Sequence, residues 1–543
     1  MEPGTLVADR IAQLLQREGA EFVAGFPENR LLDSASALGI RPIVTRTERV
    51  AVNIADGFAR ATNGERIAPC VTQYGPGVEA AFAAVAQAHS DRSPVLLIPG
   101  EHDRGAQEPP NLRAETAYAP VTRFAATVND AARAPEVFRR ALHRLRCVRD
   151  GPVLVAVAHD VMCGPAGEAG WDVASGPRRL SAADPQDVTE TLRMLAEASR
   201  PVILAGQGVL YAGATDELVA LAERTGTPVA TTLNGKSAFP EDHPLALGTA
   251  ARTRPETVDR FLGEADVVLG VGTSFTRSLY ITPLPESATL GQIVADPRDL
   301  GTGYDVAFGC VGDARVVLRQ MLDRLGVEAA PARDPAPEVA RVRSGFLDRW
   351  MPRLTSDAGP ISPYRVVWDL MAAVDRSRTV VTHDAGHPRD QIVPFYETLV
   401  PRGYLGWGKS TQLGTGLGLT MGARLARPDR LAVNIMGDAA FGMVGMDVET
   451  AVRCGIPILT IVMNNGLMGG YGEYMPRAVE RYDAHRMSGD YAAVGAALGA
   501  YTERVAEAGE LRAAIGRCAK AVESGRTALL EVMTHEEPEL ALG

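Results

Sequence analysis

The 543-residue chain has no apolar run long enough to cross a bilayer. Its first residues, Met1 to Arg10, lack the basic-then-apolar pattern of a secretory signal. A cytoplasmic protein is therefore expected. Six cysteines (Cys70, Cys147, Cys163, Cys310, Cys454, Cys518) stand far apart, without metal-like or redox-like pairing, and read as reduced core or surface residues. Positive charge is not in excess. A net charge of −11 argues against nucleic acid or an anionic membrane as partner, a local basic pocket aside. No short-period repeat is present, which removes the solenoid architectures. What remains is 46% apolar and 22% charged, the composition of a globular chain with several cores.

Three blocks alternate strand-like and helix-like segments, and two loop-like stretches separate them. The first block spans 1–162 and ends in the buried-strand run Pro152 to Ala158. Met162 to Pro185 is rich in Gly, Pro, Ala and Ser without periodicity, a linker. The second block spans 186–325, with strand-and-glycine turns at Pro201–Gly206 and Ala265–Thr273. Val327 to Pro360 is proline- and charge-rich, a second linker with one helix near Val339–Trp350. The third block spans 362–535. The class expected is α/β, three doubly wound parallel-sheet domains.

The most informative stretch lies in the third block. An apolar run, Leu431 to Met436, meets Gly437-Asp438-Ala439-Ala440-Phe441-Gly442-Met443. A helix-like segment stops at Gly455, and a second apolar run ends at Asn464-Asn465, with Asn465 27 positions beyond Asp438. Strand, turn, helix, strand places Asp438 and Asn465 at the carboxyl ends of parallel strands, where open α/β sheets bind ligands. A carboxylate and an amide oxygen there suit Mg²⁺, which takes hard oxygen ligands and shares them with phosphates. Taken singly, Asp438 equally reads as a helix cap and the asparagines as a strand end.

This stretch resembles the metal–diphosphate motif of thiamine-diphosphate (ThDP) enzymes, where Gly-Asp-Gly precedes paired asparagines by one βαβ unit. The resemblance implies Asp438, Asn465 and the carbonyl of Leu467 as Mg²⁺ ligands. Gly437, Ala439 and Ala440 would line the diphosphate, Ala440 through its N–H at a helix start. Ala439 departs from the family's glycine. In the first block, Arg46-Thr47-Glu48-Arg49 lies where a strand feeds a helix, and Gly75-Pro76-Gly77 forms a turn after Cys70–Tyr74. Both resemble the pyrimidine-binding domain of acetolactate-synthase-like members. Glu48 is then implied as the catalytic glutamate beside the pyrimidine ring, with Gly75, Pro76 and Gly77 lining the cofactor. Alone, Glu48 reads equally as a solvated helix-start residue.

The same resemblance implies Leu413, before Gly414-Thr415-Gly416, as the apolar support of the bent cofactor, and Gly386 with His387 as diphosphate contacts. Core packing at Leu413 and simple exposure at His387 are the bland alternatives. Thr231–Pro240 and Gln292–Pro297 resemble the family's central domain, which binds flavin dinucleotide or ADP in some members. Thr249–Glu256 and Gly272–Arg277 are off the flavin pattern, so FAD is not expected.

The implied function is a ThDP- and Mg²⁺-dependent decarboxylase or carboligase acting on a small 2-oxo acid. Three departures separate the chain from named members. There is no His-His pair of the pyruvate decarboxylase kind. Glu101, in Pro99-Gly100-Glu101, stands where acetolactate synthases carry an amide, and is a second catalytic candidate. Pro109-Pro110 stands for their Phe-Gln. Asn29 and Arg30, in Phe26–Arg30, are substrate candidates, Arg30 for a carboxylate. An acyl-CoA reading stays open, because Gly437–Met443 with Gly445–Thr450 is also similar to oxalyl-CoA decarboxylase and 2-hydroxyacyl-CoA lyase. So does a ThDP-fold subunit without turnover. The family's site geometry implies a homodimer or homotetramer.

Overall fold

Strand segments in every block are apolar at consecutive positions. Pro69–Thr72, Val153–Ala158, Pro201–Ala205, Val267–Val271 and Leu459–Asn464 are buried throughout. Runs without alternation suit strands covered by helices on both faces, which is the condition for parallel sheets. The computed structural model describes residues 5–27, 29–106, 112–148, 151–168, 170–173, 176, 178–326 and 333–542.

Three six-stranded parallel sheets result. The first holds β1 (Phe22–Gly25), β2 (Arg41–Val44), β3 (Pro69–Thr72), β4 (Leu96–Glu101), β5 (Phe124–Val128) and β6 (Val153–Ala158). Their order is β2-β1-β3-β4-β6-β5. The second holds β7 (Pro201–Ala205), β8 (Val229–Thr232), β9 (Ala246–Ala250), β10 (Val267–Val271), β11 (Thr289–Val294) and β12 (Phe308–Val311). Their order is β12-β11-β10-β7-β8-β9. The third holds β13 (Thr379–His383), β14 (Tyr404–Leu405), β15 (Leu431–Gly437), β16 (Leu459–Asn464), β17 (Tyr501–Val505) and β18 (Ala528–Met533). Their order is β14-β13-β15-β16-β18-β17. The doubly wound class expected from the sequence is the class observed.

The stretch between the second and third sheets is less loose than its composition implies. Ala336–Leu354 is a helix of 19 residues, and Val339, Val342, Phe346, Trp350 and Leu354 are buried along it. That spacing of three and four puts them on one stripe. Trp350 packs edge-on to Tyr364, at 4.9 Å between rings, which fastens the helix to the third unit.

The first and third units meet along two helices, Glu48–Ala61 and Thr415–Ala426. A Cβ on Gly57 would lie 2.2 Å from the Leu419 carbonyl oxygen, and one on Gly422 2.1 Å from that of Ile54. The backbones touch, and no side chain fits between them. Arg60, also on the Glu48 helix, is fully buried. It donates to Asp56 (2.6 Å) and Asp91 (3.1 Å) in its own unit and to the Gly406 carbonyl (3.2 Å) in the third, so its guanidinium ties the two units. Gly57→Ala is expected to destabilise the protein by about 3 kcal/mol, the upper end for overpacking, because rigid backbone must move. Gly516→Ala, on a helix where an added Cβ meets nothing within 4 Å, is the control and leaves stability unchanged or slightly raised. Equal urea midpoints for the two variants would contradict the packing argument. Among the described residues, no helix is long and apolar enough to cross a membrane.

Candidate active site

β15 and β16 are neighbours, and Gly437 pairs with Met463. Asp438 and Asn465 therefore leave adjacent strands at one carboxyl edge. Asp438 opens the helix Asp438–Val444 and is buried. Its two carboxylate oxygens accept from the backbone N–H groups of Ala439 (2.7 Å) and Gly466 (2.9 Å). Desolvation outweighs those donors and raises its pKa above the usual carboxylate range. Asn465 Oδ1 accepts from the Leu467 N–H at 3.0 Å, which turns the amide back over its own loop. The preceding asparagine is used differently. Asn464 Nδ2 donates to Glu531 Oε1 (2.6 Å), and Glu531 Oε2 accepts from the Ala492 N–H (2.9 Å). Glu531 was missed by sequence reasoning, and its signal was a lone acid inside the apolar strand Ala528–Met533.

The loop beyond Asn465 folds over His387. A Cβ on Gly469 would stand 2.5 Å from His387 Nδ1. Burial holds the His387 imidazole below its usual pKa, hence neutral, and its Nδ1 is buried without a partner. Pro388 Cγ is 3.7 Å from the Cβ position on Gly437. Gly386–Pro388, Gly437–Ala440 and the 465–470 loop thus converge on one edge. The edge offers the Asp438 carboxylate and the Asn465 amide oxygen beside a helix N-terminus. Among the described residues, no group of three or more His, Cys, Asp or Glu could hold a metal. A cation at this edge would balance its charge on one carboxylate and on ligand phosphates, which is how Mg²⁺ is commonly bound. The residues fit a Mg²⁺–diphosphate group.

Glu48 is the first residue of its helix, and Thr47 is the cap, its hydroxyl accepting from Val50 N–H at 3.4 Å. Gly75 has φ +64° and ψ −108°, and Pro76 opens the next helix. A Cβ on Gly77 would lie 3.2 Å from Glu48 Oε1, so the glutamate side chain rests against the Gly-Pro-Gly turn. The sequence pair Glu48 and Gly75–Gly77 is brought together.

Leu413 is partly buried against Ala385, Trp407 and Leu419. The turn after it is held by Asp384, which nothing in the local sequence singles out. Asp384 Oδ1 accepts from the N–H groups of Ala385 (2.8 Å) and Gly414 (2.8 Å), and Oδ2 from that of Gly416 (3.0 Å). Full burial pushes this carboxyl up to about 6, against the pull of the three N–H groups and of Arg49. Arg49 lies beside Gly414, its Nη2 3.0 Å from that residue's Cβ position, and its Nε and Nη2 are buried without partners.

The other candidates are tied up locally. The buried Glu101 carboxylate accepts from His102 N–H (2.9 Å) and Ala114 N–H (3.2 Å), bracing the ends of its loop. Asn29 caps the helix Arg30–Ala37 through Leu31 N–H (3.1 Å) and donates to the Thr72 and Ile98 carbonyls (3.2 and 3.3 Å). Arg30 pairs with Asp33 at the surface (3.1 Å). Glu28, Pro109 and Pro110 lie outside the described residues.

A cavity of about 390 Å³ opens in the central unit, lined by Gly206–Gly208, Gly272–Phe275 and Asp296 among others. β7 and β10, which precede the two glycine turns, are the neighbours at which the strand order reverses. That is the ligand position of an open α/β sheet. Gly208 N–H donates to the Gly272 carbonyl at 3.0 Å, closing the turns on each other beneath it.

Comparison with known proteins identifies the family. The description "Thiamine pyrophosphate enzyme, N-terminal TPP binding domain" matches residues 5–120, the corresponding central domain 188–321, and the C-terminal TPP binding domain 384–532. The chain belongs to the thiamine pyrophosphate enzyme family. A probable acetolactate synthase large subunit of Methanocaldococcus jannaschii is 30% identical over 85% of this chain and 80% of its own length. A probable 2-ketoarginine decarboxylase of Pseudomonas aeruginosa is 30% identical over 93% and 91%. A glyoxylate carboligase of Escherichia coli O157:H7 is 28% identical over 85% and 79%. Within the family the chain falls in the acetolactate-synthase-like superfamily, as a ThDP-dependent enzyme that forms or cleaves C–C bonds.

Proposed function

We propose that the protein is a decarboxylase or carboligase of small 2-oxo acids, working with ThDP and Mg²⁺. The observation that carries this reading is the joint placement of Asp438, Asn465 and His387 at one sheet edge and of Glu48 against the Gly75–Gly77 turn. Asp438, Asn465 and the Leu467 carbonyl would hold the metal, while Gly386, His387, Gly437, Ala439 and Ala440 would line the diphosphate. His387 has a buried, unpartnered Nδ1 and, even when burial keeps it neutral, retains one ring N–H to donate. Leu413 would support the cofactor, in a turn that Asp384 locks. Bound ThDP supplies an electron sink next to a carbonyl carbon, so that a C–C bond there can break or form. Glu48, half-buried against the Gly75–Gly77 turn, would be the carboxyl group that exchanges a proton with bound ThDP.

The three relatives named above carry names that refer to 2-oxo acid chemistry, which supports that donor class over an acyl-CoA. Exposed Met443, Met446 and Phe82, on or beside the helices that begin at Asp438 and Pro76, support burial against a second copy in a homodimer or homotetramer. The central cavity is at the small end of ligand pockets, and we expect no flavin dinucleotide in it.

The test is CO₂ release by the purified protein with ThDP and Mg²⁺ from pyruvate, glyoxylate and 2-ketoarginine, beside oxalyl-CoA. Turnover of at least one 2-oxo acid, from a protein without a visible flavin band, is the expected result. Turnover of the CoA ester alone would replace the donor class.

A further inference from the structure

The turn that delivers Glu48 is not held by its own domain alone. Arg46 N–H donates to Asp447 Oδ1 at 2.8 Å, and the Thr47 hydroxyl donates to Asp447 Oδ2 at 3.3 Å. Thr450 Oγ1 donates to the same Oδ1 at 2.8 Å and fixes the carboxylate from behind. One helical turn further, Arg453 donates to the Val44 carbonyl (2.6 Å), and Glu449 accepts from Arg46 Nε (2.8 Å). Val44 to Thr47, the residues immediately before Glu48, are thus gripped by Asp447, Glu449 and Arg453. These three belong to the third unit. They follow the helix Asp438–Val444 directly, so the metal motif and the grip lie on one continuous segment.

Asp447 is fully buried, whereas Arg46, Glu449 and Arg453 are partly in water. The exposed pairs contribute little by themselves. A buried carboxylate that accepts a backbone N–H and a hydroxyl is stronger and more directional.

We infer that Asp447 is a positioning residue for Glu48, reaching across from the diphosphate-binding unit to fix the backbone one and two residues ahead of the glutamate. Glu48 therefore takes its position from the segment that carries Asp438, and displacement of either is felt by the other. The inference rests on the proposed role of Glu48. A displacement of about 1 Å at a catalytic group is worth about 100-fold in rate.

The experiment uses the full-length protein and four variants: Asp447→Ala, Glu48→Gln, the double variant, and Arg453→Met, which frees the Val44 carbonyl but leaves Asp447 in place. Hydrogen exchange of the cofactor-free protein is read first. Asp447→Ala is expected to speed exchange at Arg46 by at least about tenfold, with the β15 and β16 amides unchanged. In the holoenzyme, kcat is expected to fall by about 10- to 100-fold while ThDP affinity stays within about threefold. The double variant is expected to be no slower than Glu48→Gln, because the two residues act through one group. Arg453→Met is expected to move both readouts the same way by less, and it serves alone if Asp447→Ala does not fold. Additive losses, or normal exchange and turnover in both grip variants beside a defective Glu48→Gln, overturn the inference alone. Full turnover of Glu48→Gln overturns the reading of Glu48, and the inference with it.

Discussion

Asp438→Ala is expected to abolish Mg²⁺-dependent binding of ThDP, with the dissociation constant raised by at least about 100-fold. Loss of a residue that merely orients a metal ligand costs about 10- to 100-fold, and Asp438 is the only carboxylate of the proposed set. The two N–H groups on its oxygens, from Ala439 and Gly466, fix its orientation before any ligand arrives. The same site makes an opposite prediction for stability. Burial raises the Asp438 pKa, so its folded carboxylate binds a proton more tightly than the unfolded one. By linkage its contribution to stability falls as pH rises through the folded pKa, and the ionised group burdens the apo-protein at neutral pH. Asp438→Asn keeps the shape without the charge. It is expected to lose metal-dependent binding, with an apo-protein melting temperature no lower than that of the wild type. Titration calorimetry and thermal unfolding on the same samples read both. Retained binding in Asp438→Ala would remove the metal assignment.

The second large effect is a pH dependence hidden by cancellation. His383 and Asp384 are consecutive and fully buried at the end of β13. His383 stacks flat on Trp407 at 5.1 Å, and burial drives its pKa down from 6.5 to about 3. Asp384 is driven up from 3.8 to about 6. The unfolded chain binds the histidine proton more tightly, so this residue's contribution grows as pH rises from about 3 to 6.5. The folded chain binds the aspartate proton more tightly, so that contribution shrinks as pH rises from 3.8 to about 6. Each slope is about 1.4 kcal/mol per pH unit. Over the shared window they oppose each other. Asp384→Asn removes one of them. Relative to wild type, stability of the variant should climb by about 2 kcal/mol between pH 4 and pH 6, because the slope is partial near each pKa. Urea midpoints at three pH values measure this, and parallel curves for the two proteins would refute it.

Much of the architecture was legible in the chain. Unbroken apolar runs such as Val153–Ala158 and Leu459–Asn464 admit few structures other than a covered parallel strand. The stretch before the third block reads as a linker with one helix near Val339–Trp350. The structure has a packed helix there, because Val339, Val342, Phe346, Trp350 and Leu354 share a stripe that the surrounding prolines and charges obscured. Among the site candidates, Glu48 and Asp438 stand at helix starts and Asn465 just past a strand end, and the family resemblance is what singles them out. Asp384 and Asp447 are not singled out, since nothing local marks an acid that caps another segment's backbone.

Three doubly wound units, and the sheet edges at which the candidate site residues stand, are legible in the chain because strand runs, glycine turns and strand-end polar residues are local properties. How the carboxylates are used emerges only from packing. Glu101 braces a loop, Asp384 fixes the Leu413 turn, and Asp447 holds the approach to Glu48. Each of those assignments is made by a hydrogen-bond donor from another segment, up to 401 positions away in the chain. A buried carboxylate goes to whichever N–H groups packing brings near it, and spacing along the chain does not encode that choice.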